Sequence, residues 1–301
     1  MVRMRLPALL LLTLIGSNVS ASGVSALDDS GHSVSLAQPA RRIISLAPHV
    51  TELLFAAGAG AAVVGVSQYS DYPAEAKTIA SVGGASALDL ERIVSLKPDL
   101  VVVWSSGNAA SQIARLRALR IPLFDSDPHD YATVASSLER LAVLAGTAKV
   151  GMNAASAFRL RLANLTATYH QRPMVNVFYQ IWQAPLMTLN GTHIASQAIA
   201  LCGGKNIFAH LPQIAPVVGT EAVLQADPEV ILTGSSDAPN ALSSWRRFST
   251  LHAARAHNLL TIDADLLSRA TPRILDGTEQ VCRALDSARG RRVESARHST
   301  Q

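Results

Sequence analysis

One pattern of apolar and polar positions occurs twice. Residues 91–103 (ERIVSLKPDLVVV) and 221–233 (EAVLQADPEVILT) each open on a glutamate, carry apolar residues at helical spacing, reach a proline seven positions later and end in an apolar run. In the first copy Leu90, Ile93, Val94 and Leu96 recur with a helical period, and Asp89 is placed to cap the helix. Pro98 ends it, because proline has no N–H for the ladder. The run 100–103 then reads as a strand buried on both faces, as in a parallel sheet. Leu224, Pro228 and the run 230–232 repeat this logic. Two ungapped copies of a helix feeding a strand predict two lobes built to one plan. Glu91 and Glu221 open their helices, where a carboxylate suits the positive end of the helix dipole.

The same reading gives alternating strands and helices along the chain. Residues 27–36 read as a hairpin turning at Asp29-Ser30-Gly31, 42–46 as a strand, 50–57 as a helix ended by Gly58 and Gly60, and 63–67 as a strand. A helix over 107–120, a strand over 122–125 and a helix over 131–145 follow the first copy. Residues 147–170 contain no proline and only Gly151, so they predict about 30 Å of continuous helix. Such a segment is a stiff strut, whereas a flexible linker is rich in glycine, serine or proline. In the second half come a strand over 174–181, a turn at Asn190-Gly191, a helix over 193–201 and a proline-rich loop over 211–219. After the second copy, a helix over 243–251, a strand over 259–262 and a last helix over 272–285 are expected. The expected fold is α/β, with two Rossmann-like lobes (27–146 and 171–288) joined by one long rigid helix (147–170).

The N-terminus differs in kind. Arg3 and Arg5 precede an apolar run over 6–15 that is too short to span a bilayer and ends in small residues, so residues 1–26 are expected to be a cleavable export signal. Val19-Ser20-Ala21 and Val24-Ser25-Ala26 both suit a signal peptidase, and the second is preferred. No cysteine nearby offers a lipid anchor. Losing two arginines and no acid takes the formal charge from +4 to +2, too little to argue for a nucleic-acid partner. Export also puts Cys202 and Cys282, neither in a CxxC pair, into an oxidising compartment. They are expected to form a disulfide stapling the second lobe to its last helix. The basic stretch 289–301 reads as a frayed, solvated tail.

The sequence has no GxSxG elbow, HExxH motif, Walker loop or lone reactive cysteine, and no catalytic set is expected. The glycines of GAGAAVVG follow a helix instead of opening one, which argues against a phosphate cradle. His49 and Glu52 have HxxE spacing, which places two metal ligands on one helical face and allows a secreted metal-dependent enzyme as a rival reading. Further ligands are not identifiable, and neither a metal nor a cofactor is expected. What remains lies at the C-terminal ends of strands, where open α/β sheets bind ligands: Tyr69, Tyr72, Trp104 and Trp182, with Asp265 and Arg269 after the last strand. Spread over both lobes, they predict a cleft for a large, flat, partly apolar ligand.

The segments RIISLAP, TELLFAAGAG, VVGVSQYSDYP, LERIVSLKPDLVVVW, SSGN, LCGGKNIF and ATPR resemble the class III periplasmic substrate-binding proteins of ATP-driven importers for cobalamin, haem and ferric siderophores. The resemblance runs from about residue 41 to 285, and YSDYP, the tryptophan ending LVVVW and the Gly-Asn after it are most similar to the cobalamin-binding branch. It implies cobalamin or a related corrinoid held between the lobes, with haem or a ferric siderophore as the alternative. It also implies a monomeric periplasmic protein without covalent chemistry that delivers its ligand to an ABC importer, a permease dimer with its cytoplasmic ATPase. Glu91 and Glu221 match the glutamates that dock on permease arginines. Tyr69 and Trp104 match aromatic contacts to the corrin ring, and Asp265 and Arg269 fall in a segment of polar contacts. His49, where a helix start meets the ligand, is expected to add a polar contact or an axial nitrogen. The expected ligand set is His49, Tyr69, Tyr72, Trp104, Asn108, Trp182, Asp265 and Arg269. The family pattern also has tryptophans near Ala85 and Ala215, where this chain has alanine.

Overall fold

In a computed structural model that describes residues 23–298 apart from Ser86 and 235–240, and no side chain beyond Arg292, each copy of the repeat is a helix feeding a central strand of a parallel sheet. An antiparallel hairpin of β1 (Val24–Leu27) and β2 (Ser33–Leu36) precedes the first sheet. Then come β3 (Ile43–Ser45), α1 (Pro48–Ala56), β4 (Val63–Val66), the short pair β5 (Gly83–Gly84) and β6 (Ala87–Leu88), α2 (Leu90–Ser95), β7 (Leu100–Val103), α3 (Ala110–Ala118), β8 (Leu123–Asp125) and α4 (Tyr131–Ala145). The single helix α5 (Ala148–Tyr169) leads to the second lobe. That lobe has β9 (Val175–Gln180), the small hairpin β10 (Trp182–Gln183) and β11 (Leu186–Met187), α6 (Ile194–Leu201), β12 (Gly204–Asn206), α7 (Thr220–Ala226), β13 (Val230–Gly234), α8 (His252–Arg255), β14 (Leu259–Ile262), α9 (Ala264–Ser268) and α10 (Ile274–His298).

The strand orders are β4-β3-β7-β8 and β12-β9-β13-β14, so each lobe sets its second, first, third and fourth strands side by side. β7 and β13, the strands of the repeat, are therefore equivalent. Their unbroken apolar runs are explained by two covered faces. Leu100 and Val102 join one core with Leu53, Leu138 and Phe124, while Val101 and Val103 meet Ile93, Ile113 and Leu116 on the opposite face. In β13, Val230 and Leu232 face the first of these cores, and Ile231 packs with Phe178, Val223 and Trp245. As expected, the Asp89 carboxylate caps α2 by accepting from the Arg92 N–H at 2.9 Å.

The strut is set rigidly on the first lobe. Gly146 ends α4 at φ +71°, a left-handed conformation that suits glycine, and the Thr147 hydroxyl donates to the Ala57 carbonyl at 2.7 Å. Gly151, the one glycine of α5, lies where α5 crosses α4. A Cβ there would stand 2.3 Å from the Ala142 Cβ and 2.5 Å from the Leu138 carbonyl oxygen. In the second lobe Cys202, at the end of α6, bonds Cys282 of α10, with Cα atoms 4.7 Å apart. On the chain-entropy model, closing a loop of 80 residues contributes roughly 4.5 kcal/mol.

Three boundaries differ from expectation. The hairpin begins at Val24, and Ala26 pairs with Val34, so a cut after Ala26 would remove three of the four residues of β1. Residues 1–22 of the expected signal lie outside the described residues. Residues 243–251 form a 3-10 turn (Ser243–Arg247) and a connection to α8 in place of the expected helix, and Trp245 anchors the segment in the core and donates its indole N–H to the Gln180 side chain at 2.7 Å. Finally, the last helix does not stop at 285. α10 runs to His298, and Arg289 to Arg292, expected in a frayed tail, are helical. They find acceptors that composition cannot reveal. Arg289 donates to the Pro173 carbonyl at 2.7 Å and the Cys202 carbonyl at 2.8 Å, and Arg292 donates to the Met174 carbonyl at 2.8 Å and pairs with Glu229. Residues 299–301 lie outside the described residues.

Candidate functional site

In both sheets the chain leaves its first strand to one side and returns on the other. Such a reversal opens a crevice at the C-terminal strand ends, between β3 and β7 and between β9 and β13. In the first lobe, α1 starts with Pro48 and sets His49 at this crevice, and β7 delivers Trp104 to it. The two strand ends are clamped by Asn108. Its amide oxygen accepts from the Trp104 N–H at 2.8 Å and its amide nitrogen donates to the Leu46 carbonyl at 3.0 Å. Asn108 is buried with both groups engaged, so it supports the site from below instead of lining it as expected. Gly107 makes room for the indole: a Cβ there would lie 2.0 Å from Trp104 Cε3.

The Trp104 and His49 rings meet in a T-shaped contact, with centroids 5.3 Å apart and planes at 81°. The indole N–H donates to Asp127 Oδ1 at 2.9 Å, and the Ser106 hydroxyl donates to Asp127 Oδ2 at 2.6 Å. Asp127 is itself positioned by the N-terminal hairpin, its N–H donating to Asp29 Oδ2 at 2.7 Å. These groups form one wall of a cavity of about 520 Å³ between the lobes. The second lobe contributes Thr192, His193, Ile194, Ile214, Ser268 and Ala270. A separate depression of about 410 Å³ lies at the equivalent strand ends of the second lobe, beside Trp182, Gln183, Thr233 and Gly234.

Two of the three histidines lining the cavity, His49 and His193, have defined tautomers. His49 Nε2 lies 3.1 Å from the Ser126 carbonyl, which can only accept, so Nε2 carries the proton and Nδ1 keeps a lone pair. His193 Nδ1 accepts from the Ala195 N–H at 3.1 Å, so its Nε2–H is the free donor. Burial pushes the pKa of both below the usual imidazole value; for His49 it outweighs the upward pull of the Ser126 carbonyl and Asp127.

One turn along α1, Glu52 is committed elsewhere. Its buried carboxylate accepts from Arg273 Nε at 2.9 Å and Nη2 at 2.6 Å, and from Arg269 Nη1 at 3.1 Å. Arg269 also meets Asp71 at 2.8 Å and Asp265 at 3.3 Å, and the Arg273 guanidinium lies 3.8 Å over the Tyr72 ring. The HxxE pair is thus split between a cavity wall and an ion cluster bridging the lobes. Among the described residues no three His, Cys, Asp or Glu side chains gather as a metal site.

Of the expected ligand set, His49 and Trp104 line the cavity between the lobes and Trp182, 62% exposed, borders the second depression. Tyr72, Asp265 and Arg269 belong to the ion cluster, because opposite charges and a ring face lie within reach of one another there. Tyr69 is 80% exposed, at φ +65°, and lines neither space. Glu91 and Glu221 are exposed and occupy the second position of α2 and α7. Because these helices run back against the parallel strands, they begin on the sheet edge that bounds the cleft. Asp127, His129 and His193 were missed. The first two follow β8 just as Trp104 follows β7. His193 caps the start of α6 and His49 lies in the first turn of α1, the helices that follow the first strand of each sheet, so the equivalence of the two lobes contained that signal.

The histidines make stability pH-dependent. As pH falls below 6.5 the unfolded chain takes up protons before the folded one, so their contribution is intact above 6.5 and is lost on acidification. Melting temperature measured against pH is expected to fall less steeply on acidification for His49→Gln/His193→Gln than for wild type; parallel curves would refute this.

A family model described as "Periplasmic binding protein" matches residues 43–266. The Vitamin B12-binding protein of Vibrio cholerae is 40% identical over 251 residues, covering 83% of this chain and 91% of the relative. That of Yersinia pestis is 36% identical over 253 residues, covering 83% and 88%. The crystal structure of the periplasmic vitamin B12 binding protein BtuF of Vibrio cholerae matches with a TM-score of 0.77 at 39% identity, over 83% of this chain and 98% of that one. The periplasmic heme-binding protein RhuT from Roseiflexus, at 24% identity and a TM-score of 0.72 over 82% and 98%, shares the fold. With two equivalent lobes, one connecting helix and a cleft between them, the chain belongs to the periplasmic binding protein family.

Proposed function

We propose that this protein captures cobalamin or a related corrinoid in the periplasm and hands it to an ABC importer. The observation that carries the reading is the cavity shared by both lobes and walled by Trp104, in a chain 40% identical to a vitamin B12-binding protein. An aromatic wall suits a flat macrocycle, and hydrogen-bonding groups from both lobes suit its amide side chains. The second depression beside Trp182 extends the apolar surface available to a ligand that spans the lobes. The ligand is cargo, and the protein's part is to bind, enclose and release it.

Two further features support this reading. The hairpin that begins at Val24 and positions Asp127 argues for export-signal cleavage after Ala21, which leaves β1 whole. Glu91 and Glu221, exposed at equivalent helix starts on the two lobes, are suited to pair with one basic group on each half of a permease dimer.

Each element has its own measurement. The exported protein is expected to begin at Ser22, by intact mass; a start at Leu27 would contradict it. Calorimetry with cyanocobalamin should give saturable heat at micromolar concentration, and Trp104→Ala should weaken binding by about tenfold or more; no heat with wild type would overturn the ligand assignment. Glu91→Arg/Glu221→Arg should abolish ligand transport and stimulation of ATP hydrolysis with affinity unchanged, whereas lost affinity would assign these glutamates to the binding site or the fold.

A further inference from the structure

Away from the cleft, the second lobe carries a depression of about 620 Å³ lined by Arg246, Ser249, Ala254, Arg255, His257 and Leu259. We infer that it is a binding site for a phosphate-bearing anion, separate from the cargo site. Its polar groups come from four directions. The 3-10 turn Ser243–Arg247 supplies Arg246, the stretch after it Ser249, α8 Arg255, and the connection from α8 to β14 His257. The start of β14 adds a backbone donor. The Asn258 carbonyl accepts from the Ile231 N–H at 3.0 Å and Leu259 is the register partner of Ile231, so the alternation of a parallel ladder turns the Leu259 N–H away from β13. β14 is the outermost strand of its sheet, and no further strand takes that N–H.

The charge balance of the depression is one-sided. None of the described residues lining it is an aspartate or glutamate. Arg269, Arg273, Arg283, Arg289 and Arg292 of the same lobe each meet a carboxylate, whereas Arg246 and Arg255 have neither an ion pair nor a side-chain hydrogen bond among the described residues. Two permanent positive charges that converge without a counter-charge create a potential that favours an anion. A carboxylate offers two oxygens in one plane, but a phosphate offers three or more in a tetrahedral array, which suits guanidinium, hydroxyl, imidazole and backbone donors arriving from several sides. Leu259 opens β14, so the depression lies at the end of the sheet opposite the cleft, and an anion there leaves the cargo cavity and the exposed Glu91 and Glu221 unobstructed. Such a phosphate can belong to a free phosphorylated compound or to a lipid headgroup.

The test titrates the full mature protein with inorganic pyrophosphate by calorimetry at low ionic strength, and sediments it with phosphatidylglycerol vesicles. Wild type is expected to bind pyrophosphate at one saturable site, and Arg246→Gln/Arg255→Gln to weaken that binding by about tenfold or more. Both arginines are exposed, so this variant should keep the wild-type melting temperature. Arg115→Gln/Arg117→Gln removes the same charge from the exposed face of α3 on the other lobe and should leave pyrophosphate affinity unchanged. Equal losses in the two double variants would reduce the effect to net charge and overturn the inference, as would the absence of saturable heat with wild type. Cosedimentation that Arg246→Gln/Arg255→Gln abolishes would identify a lipid headgroup as the source, and pyrophosphate binding without cosedimentation a free phosphate compound. Cyanocobalamin should bind equally well with and without pyrophosphate, whereas competition would put the anion in the cleft and refute a separate site. A protein that ignores cyanocobalamin but shows the arginine-dependent pyrophosphate heat would remove the corrinoid reading and leave this one standing.

Discussion

A parallel sheet whose chain leaves its first strand on one side and returns on the other cannot cover the C-terminal ends of the two strands at the reversal, and both lobes are built on that constraint. The opening has to be held at a fixed width without exposing unpaired backbone groups. In the first lobe Asn108 meets both needs by bonding Leu46 and Trp104 across it. In the second lobe Gln180, at the end of β9, takes the Trp245 indole N–H and donates to the Ala241 carbonyl. Each crevice therefore has a buried amide in its floor, and the side chains above it can be given over to a ligand.

The lobes are joined in two physically different ways. α5 is covalent and stiff, and its crossing with α4 is close because Gly151 lacks a side chain. The cluster of Glu52, Arg269 and Arg273 is non-covalent and largely buried. Burying charges costs about as much as pairing them returns, so such a cluster contributes little net stability and much geometric definition. It orients α1, which carries His49, against the segment carrying Ser268 and Ala270. The same bonds thus tie the two lobes together beside the cleft.

Features that depend on local periodicity were legible in the sequence. The repeat announced two equivalent lobes, the apolar runs announced strands covered on both faces, and the proline-free stretch announced the connecting helix within one residue at each end. The disulfide followed from compartment and cysteine count. The site was legible only in part. Position at a strand end placed Trp104 on the cavity wall, while His49, which lines it too, was singled out by its helix start and by the resemblance. It was not enough for Asn108, Tyr72 or Arg269, because nothing in the one-dimensional pattern says which neighbour will claim a polar group first. The arginines of α10 show the same gap, since carbonyls at Pro173 and Met174 are invisible to composition.

The sequence by itself determined the α/β class, the duplicated lobes, the strut and the placing of Glu91 and Glu221 at matched helix starts. These depend on spacing along one element, where period and capping are set by residues a few positions apart. The tertiary structure alone decided that His193 lines the same cavity as His49, that Asp127 holds the Trp104 indole, and that Glu52 belongs with two arginines more than two hundred residues away. Those outcomes follow from how two lobes close on each other, which brings donors and acceptors together across distances that no sequence period encodes.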